Sequence, residues 1–289
     1  FLKMVVKYES LWGKTVVLDV DPADAPAKEA LVDGTAFFID PCDHGWFRSV
    51  NDKAWLHYRK FLPSKRPTGV CIWHHGIHAH CGLGFDVGGK RTNEALLAEM
   101  LMEAGFAIYL MDMAGHGLSE GKRFYNPSWR NSRDDLDEFA RFAVSDVASA
   151  FDIDNHDEVP LFLMGQSYGG NLVIQLARKW QDAAGDVGAK PPPAAFRGIC
   201  LASPAIYSEL PPAPVVFCLR RIASVAPKWK PFFLPNPVSP DRIWKSPEIC
   251  QLMMADPING SGKPFRLGTA VAIVDSMEVS RTYSIPGFQ

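Results

Sequence analysis

The chain keeps two hydrophobic rhythms, one of short apolar runs and one of apolar residues three and four apart. "GTAFFID" (Gly34–Asp40) and "KAWLHYRKFLP" (Lys53–Pro63) read as strands separated by a polar turn. "TGVCIWH" (Thr68–His74) is apolar almost throughout, as are "FAIYLMD" (Phe106–Asp112), "VPLFLMG" (Val159–Gly165) and "RGICLASPA" (Arg197–Ala205). Between them lie three stretches of helical spacing. "RTNEALLAEMLMEAG" places Leu96, Leu97 and Met100 on one face, with Gly105 as its stop. "DDLDEFARFAVSDVASAF" carries Leu136, Phe139, Ala143, Val147 and Phe151, and "NLVIQLARKWQD" carries Leu172, Val173, Leu176 and Trp180. Fully apolar strands that alternate with amphipathic helices predict an α/β fold, a mostly parallel sheet covered on both faces.

The alternation stops after Ala205. The stretch to about Ser280 is rich in Pro, Met and Phe and reads as an inserted helical cap. "SIPGFQ" then resembles the run-in to another buried strand. The predicted organisation is an N-terminal extension over 1–33, a core over 34–206, a cap over 207–280 and a returning core strand from 281 to 289. "GDVGAKPPP" (Gly185–Pro193) is a loop insertion.

Composition removes some function classes. Across 289 residues the net charge is −2, which argues against a nucleic-acid surface. The six cysteines form no CxxC and read as free thiols in a reducing compartment, so a cytoplasmic setting is expected. No apolar run reaches the roughly 20 residues of a membrane span.

The strongest chemical signal is "GQSYG": Gly165, Gln166, Ser167, Tyr168 and Gly169. It falls between an apolar strand and an amphipathic helix, the setting of a nucleophile elbow. Ser167 would stand on a tight turn as the nucleophile. Gly165 and Gly169 are required because a Cβ there would strike the neighbouring strand and helix. A nucleophilic serine needs donors for its oxyanion. One would be the backbone N–H of Tyr168. The other would come from "WHHGIHAHC" (Trp73–Cys81), the loop after an earlier strand, through the N–H of Ile77.

A third motif, "DMAGHGLSEG" (Asp112–Gly121), follows the next apolar strand. With His75–Gly76 and His80 before it and "GQSYG" after it, the sequence resembles the monoacylglycerol lipase group of α/β-hydrolases. That group overlaps the lysophospholipase-like and serine-aminopeptidase-like hydrolases. The resemblance spans roughly Gly34 to Gln289. It implies ester hydrolysis of monoacylglycerols or similar lipids through an acyl-enzyme on Ser167, with a cap that binds the acyl chain. It also implies that His75, Gly76, His80, Asp112, His116 and Ser119 brace the site loops. His74 and His78 lie outside the pattern. The expected partner is a small lipid or ester substrate, with peripheral membrane contact through the cap. No cofactor and no metal are called for.

The fold orders its triad Ser, then Asp or Glu, then His. Every histidine here precedes Ser167, and Asp256 and Asp275 fall before the expected acid strand. The acid and base are therefore absent from this sequence. The chain opens on Phe1 and the pattern breaks off at a strand start, so the expectation is a chain truncated at Gln289 and inactive as it stands. Two other readings compete. One is a non-catalytic α/β-hydrolase relative that binds a ligand. The other is a zinc hydrolase using His74, His75, His78 and His80, which would leave "GQSYG" without a role.

Two weaker features have double readings. "CLRRIASVAPKWKPFFLP" (Cys218–Pro235) is either a lipid-touching cap edge or, as favoured here, a solvated basic face beside core aromatics. "PEICQLMM" (Pro247–Met254) is either acyl-pocket lining or cap core.

Overall fold

The structure is a computed structural model. It describes residues 4–9, 15–20, 43–51, 53–82, 86–87, 90–91, 93–183, 190–193, 195–208, 210–231, 239–255 and 258–287. The strand expected at Gly34–Asp40 lies outside these residues.

In chain order the strands are β1 (Met4–Glu9), β2 (Thr15–Val20), β3 (Asp43–Arg48), β4 (Trp55–Phe61), β5 (Gly69–His74), β6 (Asp86–Val87), β7 (Lys90–Arg91), β8 (Phe106–Met111), β9 (Pro160–Gln166) and β10 (Ala195–Ala202). The helices are α1 (Asn93–Glu103), α2 (Trp129–Ala150), α3 (Tyr168–Ala183), α4 (Ala213–Val225), α5 (Pro240–Ile243), α6 (Pro247–Ala255) and α7 (Leu267–Val279). β1 and β2 form an antiparallel pair within the N-terminal extension, and β6 and β7 another. Six strands make the main sheet in the order β10-β9-β5-β8-β4-β3. β10, β9, β5 and β8 run parallel; β4 and β3 are antiparallel additions. The sequence pattern does not announce β3, because "DHGWFR" lacks a continuous apolar run.

Alternation along each strand splits the core in two. Val70 and Ile72 of β5, with Ala107, Tyr109 and Met111 of β8, face α2, α3 and α7. Trp73, Ile108 and Leu110 face α1. Both faces are apolar, so each strand reads as an unbroken hydrophobic run. α2 begins at Trp129, ahead of the stretch that its apolar stripe marks out. Ser128 is its N-cap, in extended backbone, accepting the Asn131 N–H at 3.3 Å. Gly105, at φ +80, ends α1, as its sequence position predicts.

One reading of side-chain placement and one of secondary structure are corrected. Leu96 and Met100 of α1 are exposed; Leu97 meets the sheet as expected, with Ala98, Leu101 and Met102 in place of the other two. A rotation of about 100° per residue gives Leu97–Leu101 an equally apolar stripe, and Trp73, Ile108 and Leu110 select it. At the far end, the strand expected over 281–289 is not formed among the described residues. Ser280–Ser284 continues α7 as a π-helical turn, and Ile285 keeps helical backbone. The reason is polar. Ser280 Oγ accepts from Asn171 Nδ2 at 2.9 Å and from Gln175 Nε2 at 2.7 Å, and Ser284 Oγ donates to Gln175 Oε1 at 2.8 Å. With Ser276 these serines recur every fourth residue, which fits a helix facing α3 and not a strand.

Candidate active site

From β5 the chain passes outward on one side to β8 and, after α2, returns to the other side of β5 as β9. The crevice at the C-terminal ends of β5 and β9 is therefore a topological switch point, where open α/β sheets bind ligands. Ser167 stands there, between β9 and α3, at φ +52. A left-handed serine is strained backbone, and it is fixed on three sides. Its N–H donates to Ala202 O at 3.0 Å, and its carbonyl accepts from Asn171 N at 3.1 Å and Ala205 N at 2.8 Å.

The glycines explain how the turn fits. A Cβ on Gly165 would sit 2.6 Å from Gly169 O, and one on Gly169 would sit 2.2 Å from His74 O. A Cβ on Gly76 would meet Ser167 Cβ at 3.1 Å. The β5 loop thus lies directly against the strand–helix elbow at Ser167. Ile77 and Tyr168 both line the cavity above Ser167. The Tyr168 N–H is the first of α3 and has no acceptor within the helix. The Ile77 N–H has no acceptor among the described residues.

The histidines of the β5 loop hold backbone. His75 Nδ1–H donates to Gly76 O at 2.7 Å, and its Nε2 accepts the Met113 N–H at 3.1 Å. Those two bonds fix the tautomer, and burial pushes the imidazole down to about 4. His80 Nδ1 accepts from Gly82 N at 3.0 Å. His74 Nδ1 meets His75 O at 3.2 Å, and burial lowers its pKa to about 3. His116 Nδ1 meets Ala114 O at 3.1 Å, and burial again lowers its pKa.

Asp112, at the end of β8, is the centre of a buried brace. It accepts from His57 Nδ1 at 2.8 Å, Cys81 N at 2.6 Å and Leu118 N at 3.0 Å. Burial alone would raise its pKa. The His57 hydrogen bond and the neighbouring histidines outweigh that and hold the carboxyl well below the usual range. Ser119 Oγ donates to Asp112 O at 2.7 Å and accepts from His57 N at 2.8 Å. Gly117 is required here, since a Cβ would sit 2.2 Å from the Asp112 carboxyl. His57 is the member of this brace that sequence reasoning misses. Its signal is a polar residue at the centre of a strand, one register step from the strand that ends in Asp112.

His57, Cys81 and Asp112 are the grouping among the described residues that brings three potential metal ligands within 4.8 Å of one another. There the carboxylate is already filled by three hydrogen bonds. The four histidines of "WHHGIHAHC" do not converge in this way; three of them engage backbone carbonyls or amides.

The cavity over Ser167 has a volume of about 410 Å³. Its walls are apolar residues of α4 and α7, such as Val216, Leu219, Ile273 and Val274, with Phe265 at one side. The residues of α6 are not among them. Met253 is buried and Met254 exposed, so the described methionines of "PEICQLMM" are not cavity wall.

A mostly parallel sheet, helices on both faces and a left-handed serine on a strand–helix elbow at the switch point together define an α/β-hydrolase. More narrowly, residues 65–282 match the family described as Serine aminopeptidase, S33, and the chain belongs to that family. Among its relatives is a monoacylglycerol lipase of Mycolicibacterium smegmatis, 26% identical over 208 residues, covering 71% of this chain and 61% of that protein. Another is a monoglyceride lipase of Rattus norvegicus, 29% identical over 185 residues, covering 64% of this chain and 49% of that protein. The chain thus spans only part of the length of these curated relatives. A solved monoglyceride lipase of Saccharomyces cerevisiae, a soluble variant in complex with a substrate analog, superposes with TM-score 0.60 at 16% identity. The superposition covers 84% of this chain and 70% of that one, a likeness of fold.

Proposed function

We propose that this chain carries a serine esterase site for a monoacylglycerol- or lysophospholipid-type ester. The observation that supports it most is the apolar cavity of about 410 Å³ that ends on Ser167. That size suits a small-molecule site. In this reading Ser167 Oγ attacks the ester carbonyl carbon, and the oxygen that gains charge turns toward the N–H groups of Ile77 and Tyr168. Loss of one such donor costs on the order of 100- to 1,000-fold in turnover. The acyl chain lies between α4 and α7, so the helical segment over 207–280 acts as a cap. The relatives named as monoacylglycerol and monoglyceride lipases favour this substrate class.

The proton of Ser167 needs an acceptor. All eight histidines are described, and no ring nitrogen of theirs hydrogen-bonds Ser167 Oγ. We therefore read the site as an oxyanion cradle and nucleophile with no histidine base seated against it among the described residues, and with slow turnover. The same observation supports a second reading, a protein that binds a lipid and does not turn it over.

A fluorophosphonate probe separates the two. Labelling traced by peptide mass to Ser167, abolished by Ser167→Ala and accelerated by added imidazole, supports the esterase with a missing base. Oleate binding with no labelling at any imidazole concentration supports the binding protein and overturns the esterase.

Contact with a membrane surface belongs to the same reading. Among the described residues no helix is long and apolar enough to cross a membrane. α4, however, turns Val215, Phe217, Ile222 and Val225 outward, with Phe217 58% and Val225 82% exposed. Pro212 is its N-cap and Pro214 lies in its first turn, so the prolines open the helix and do not break it. Arg221 and Lys228 flank this face and are exposed. The face suits the acyl–headgroup boundary of an anionic bilayer. Of the aromatics that the sequence reading takes as core in Cys218–Pro235, those at 232 and 233 lie outside the described residues.

A further inference from the structure

His78 has no place in the motif and no role in the chemistry above, yet it is completely buried. It sits one residue after Ile77 and adopts φ +64, a left-handed backbone that glycine takes freely and that other residues, histidine more readily than most, take uncommonly. Two segments converge on it. Its carbonyl accepts the Gly260 N–H at 2.7 Å. Its ring lies 4.7 Å from the Phe124 ring and 4.6 Å, edge-on, from the Phe265 ring. Neither ring nitrogen reaches hydrogen-bond geometry, although the Gly260 backbone is near. Burial pushes the imidazole down to about 3, so the ring is a neutral plug at any working pH.

These contacts belong to two parts of the molecule. Phe124, itself at φ +54, closes the loop that begins at Asp112 and is tied back to Gly115 O at 3.0 Å. Gly260 and Phe265 belong to the segment that leads from α6 to α7, and Phe265 is also a wall of the cavity. Gly260 leaves no spare room. A Cβ there would lie 2.7 Å from the Phe124 ring and 2.9 Å from His78 Cβ.

We propose that His78 is a positioning residue that locks the Ile77 amide to the α6–α7 segment, so that the Phe265 wall of the cavity and the oxyanion donor move as one. The inference rests on the esterase reading, in which Ile77 supplies an oxyanion N–H. The ring does not touch substrate. It sets the peptide that precedes it, because a left-handed residue wedged between two aromatic rings cannot rotate without displacing both.

Three variants of the full-length protein test this, with a water-soluble ester as substrate. His78→Gly keeps the left-handed backbone and removes the plug. Gly260→Ala pushes the α6–α7 segment away from the other side. Ser167→Ala is the control for the parent reading. An oxyanion donor acts in the transition state, so the expected result is a fall in kcat of about tenfold or more with KM within about threefold. The double variant should be no slower than the worse single one, since both break one link. A trifluoromethyl ketone, whose adduct places an oxyanion on the donors, should lose about tenfold or more in affinity while oleate binding stays within about threefold.

Turnover by His78→Gly within about twofold of the parent overturns the inference, as does equal weakening of ketone and oleate, which would make His78 packing alone. If His78→Gly does not fold, His78→Asn, which also accepts left-handed backbone, carries the same measurements. Turnover that survives Ser167→Ala defeats the esterase reading itself. Turnover that Ser167→Ala abolishes and His78→Gly leaves intact defeats only the link.

Discussion

The α-carbon of Gly169 is pressed against the carbonyl of His74: a Cβ added there would lie 2.2 Å from His74 O and 2.4 Å from His75 O. Backbone meets backbone, so no flexible side chain can give way. Gly169→Ala must therefore shift either α3 or the β5 loop. Overpacking of this kind costs about 1–3 kcal/mol. A urea titration followed by tryptophan fluorescence should show that loss, and Ser167 should label more slowly with a fluorophosphonate. Unchanged stability and labelling would mean that the elbow tolerates a gap the structure does not contain.

Acid should destabilise this protein well above the carboxylate range. His57, His74, His75, His78 and His116 are buried and have pKa values lowered from 6.5, with burial the leading cause in each. The unfolded chain binds protons at about 6.5 that the folded chain refuses until about 4 at His75 and about 3 at His74 and His78. Between those limits the unfolded state holds more protons, so stability is present above pH 6.5 and is lost as pH falls. Each histidine contributes about 1.4 kcal/mol per pH unit in that window. The melting temperature should drop steeply between about pH 7 and about pH 5. A melting temperature that is flat over that range would show these imidazoles to be solvated.

The outer face of α4 makes a separate prediction. Phe217→Ser with Val225→Ser removes two exposed apolar side chains and leaves the inner face, Val216 and Leu219, on the cavity. Binding to phosphatidylserine-containing vesicles in a flotation assay should fall by about tenfold or more, since each buried side chain is worth about 1.5–3 kcal/mol. Melting temperature and hydrolysis of a water-soluble ester should stay the same. Equal vesicle binding by parent and variant would remove α4 as the contact.

Much of this site is legible in the sequence because close approach restricts residue type. Gly165 and Gly169 read as glycines that fit against backbone, and that is where they lie. The parallel strands can be read because both faces are buried. What escapes the sequence is what depends on partners distant along the chain. His57 gives no local sign that it faces Asp112, 55 residues away. α1 offers two apolar stripes, and only the sheet beneath it selects Leu97 and Leu101. Ser280 and Ser284 look like the approach to a strand until Asn171 and Gln175 are set opposite them. His78 resembles a metal ligand because it stands among histidines; its neighbours in space are phenylalanines.

The two walls of the cavity are fastened very differently. α7 and its π-helical extension are bolted to α3 by Ser276, Ser280 and Ser284 against Asn171 and Gln175, all out of water. Buried hydrogen bonds of this kind are expensive to leave unmade. α4 is pinned at its C-terminal end, where Leu267 N and Gly268 N donate to Trp229 O and Pro227 O. Farther up, Arg220 meets Asp275 of α7 at 2.5 Å in an ion pair 38% exposed on both sides, a kind of pair that contributes little. Among the described contacts, α4 is thus held by backbone bonds at Pro227–Trp229 and by the lighter Arg220–Asp275 pair, with α7 as the fixed wall. In the proposed esterase reading, the Ala213 end of α4, which turns Val215 and Phe217 outward, is the side from which an ester would approach Ser167.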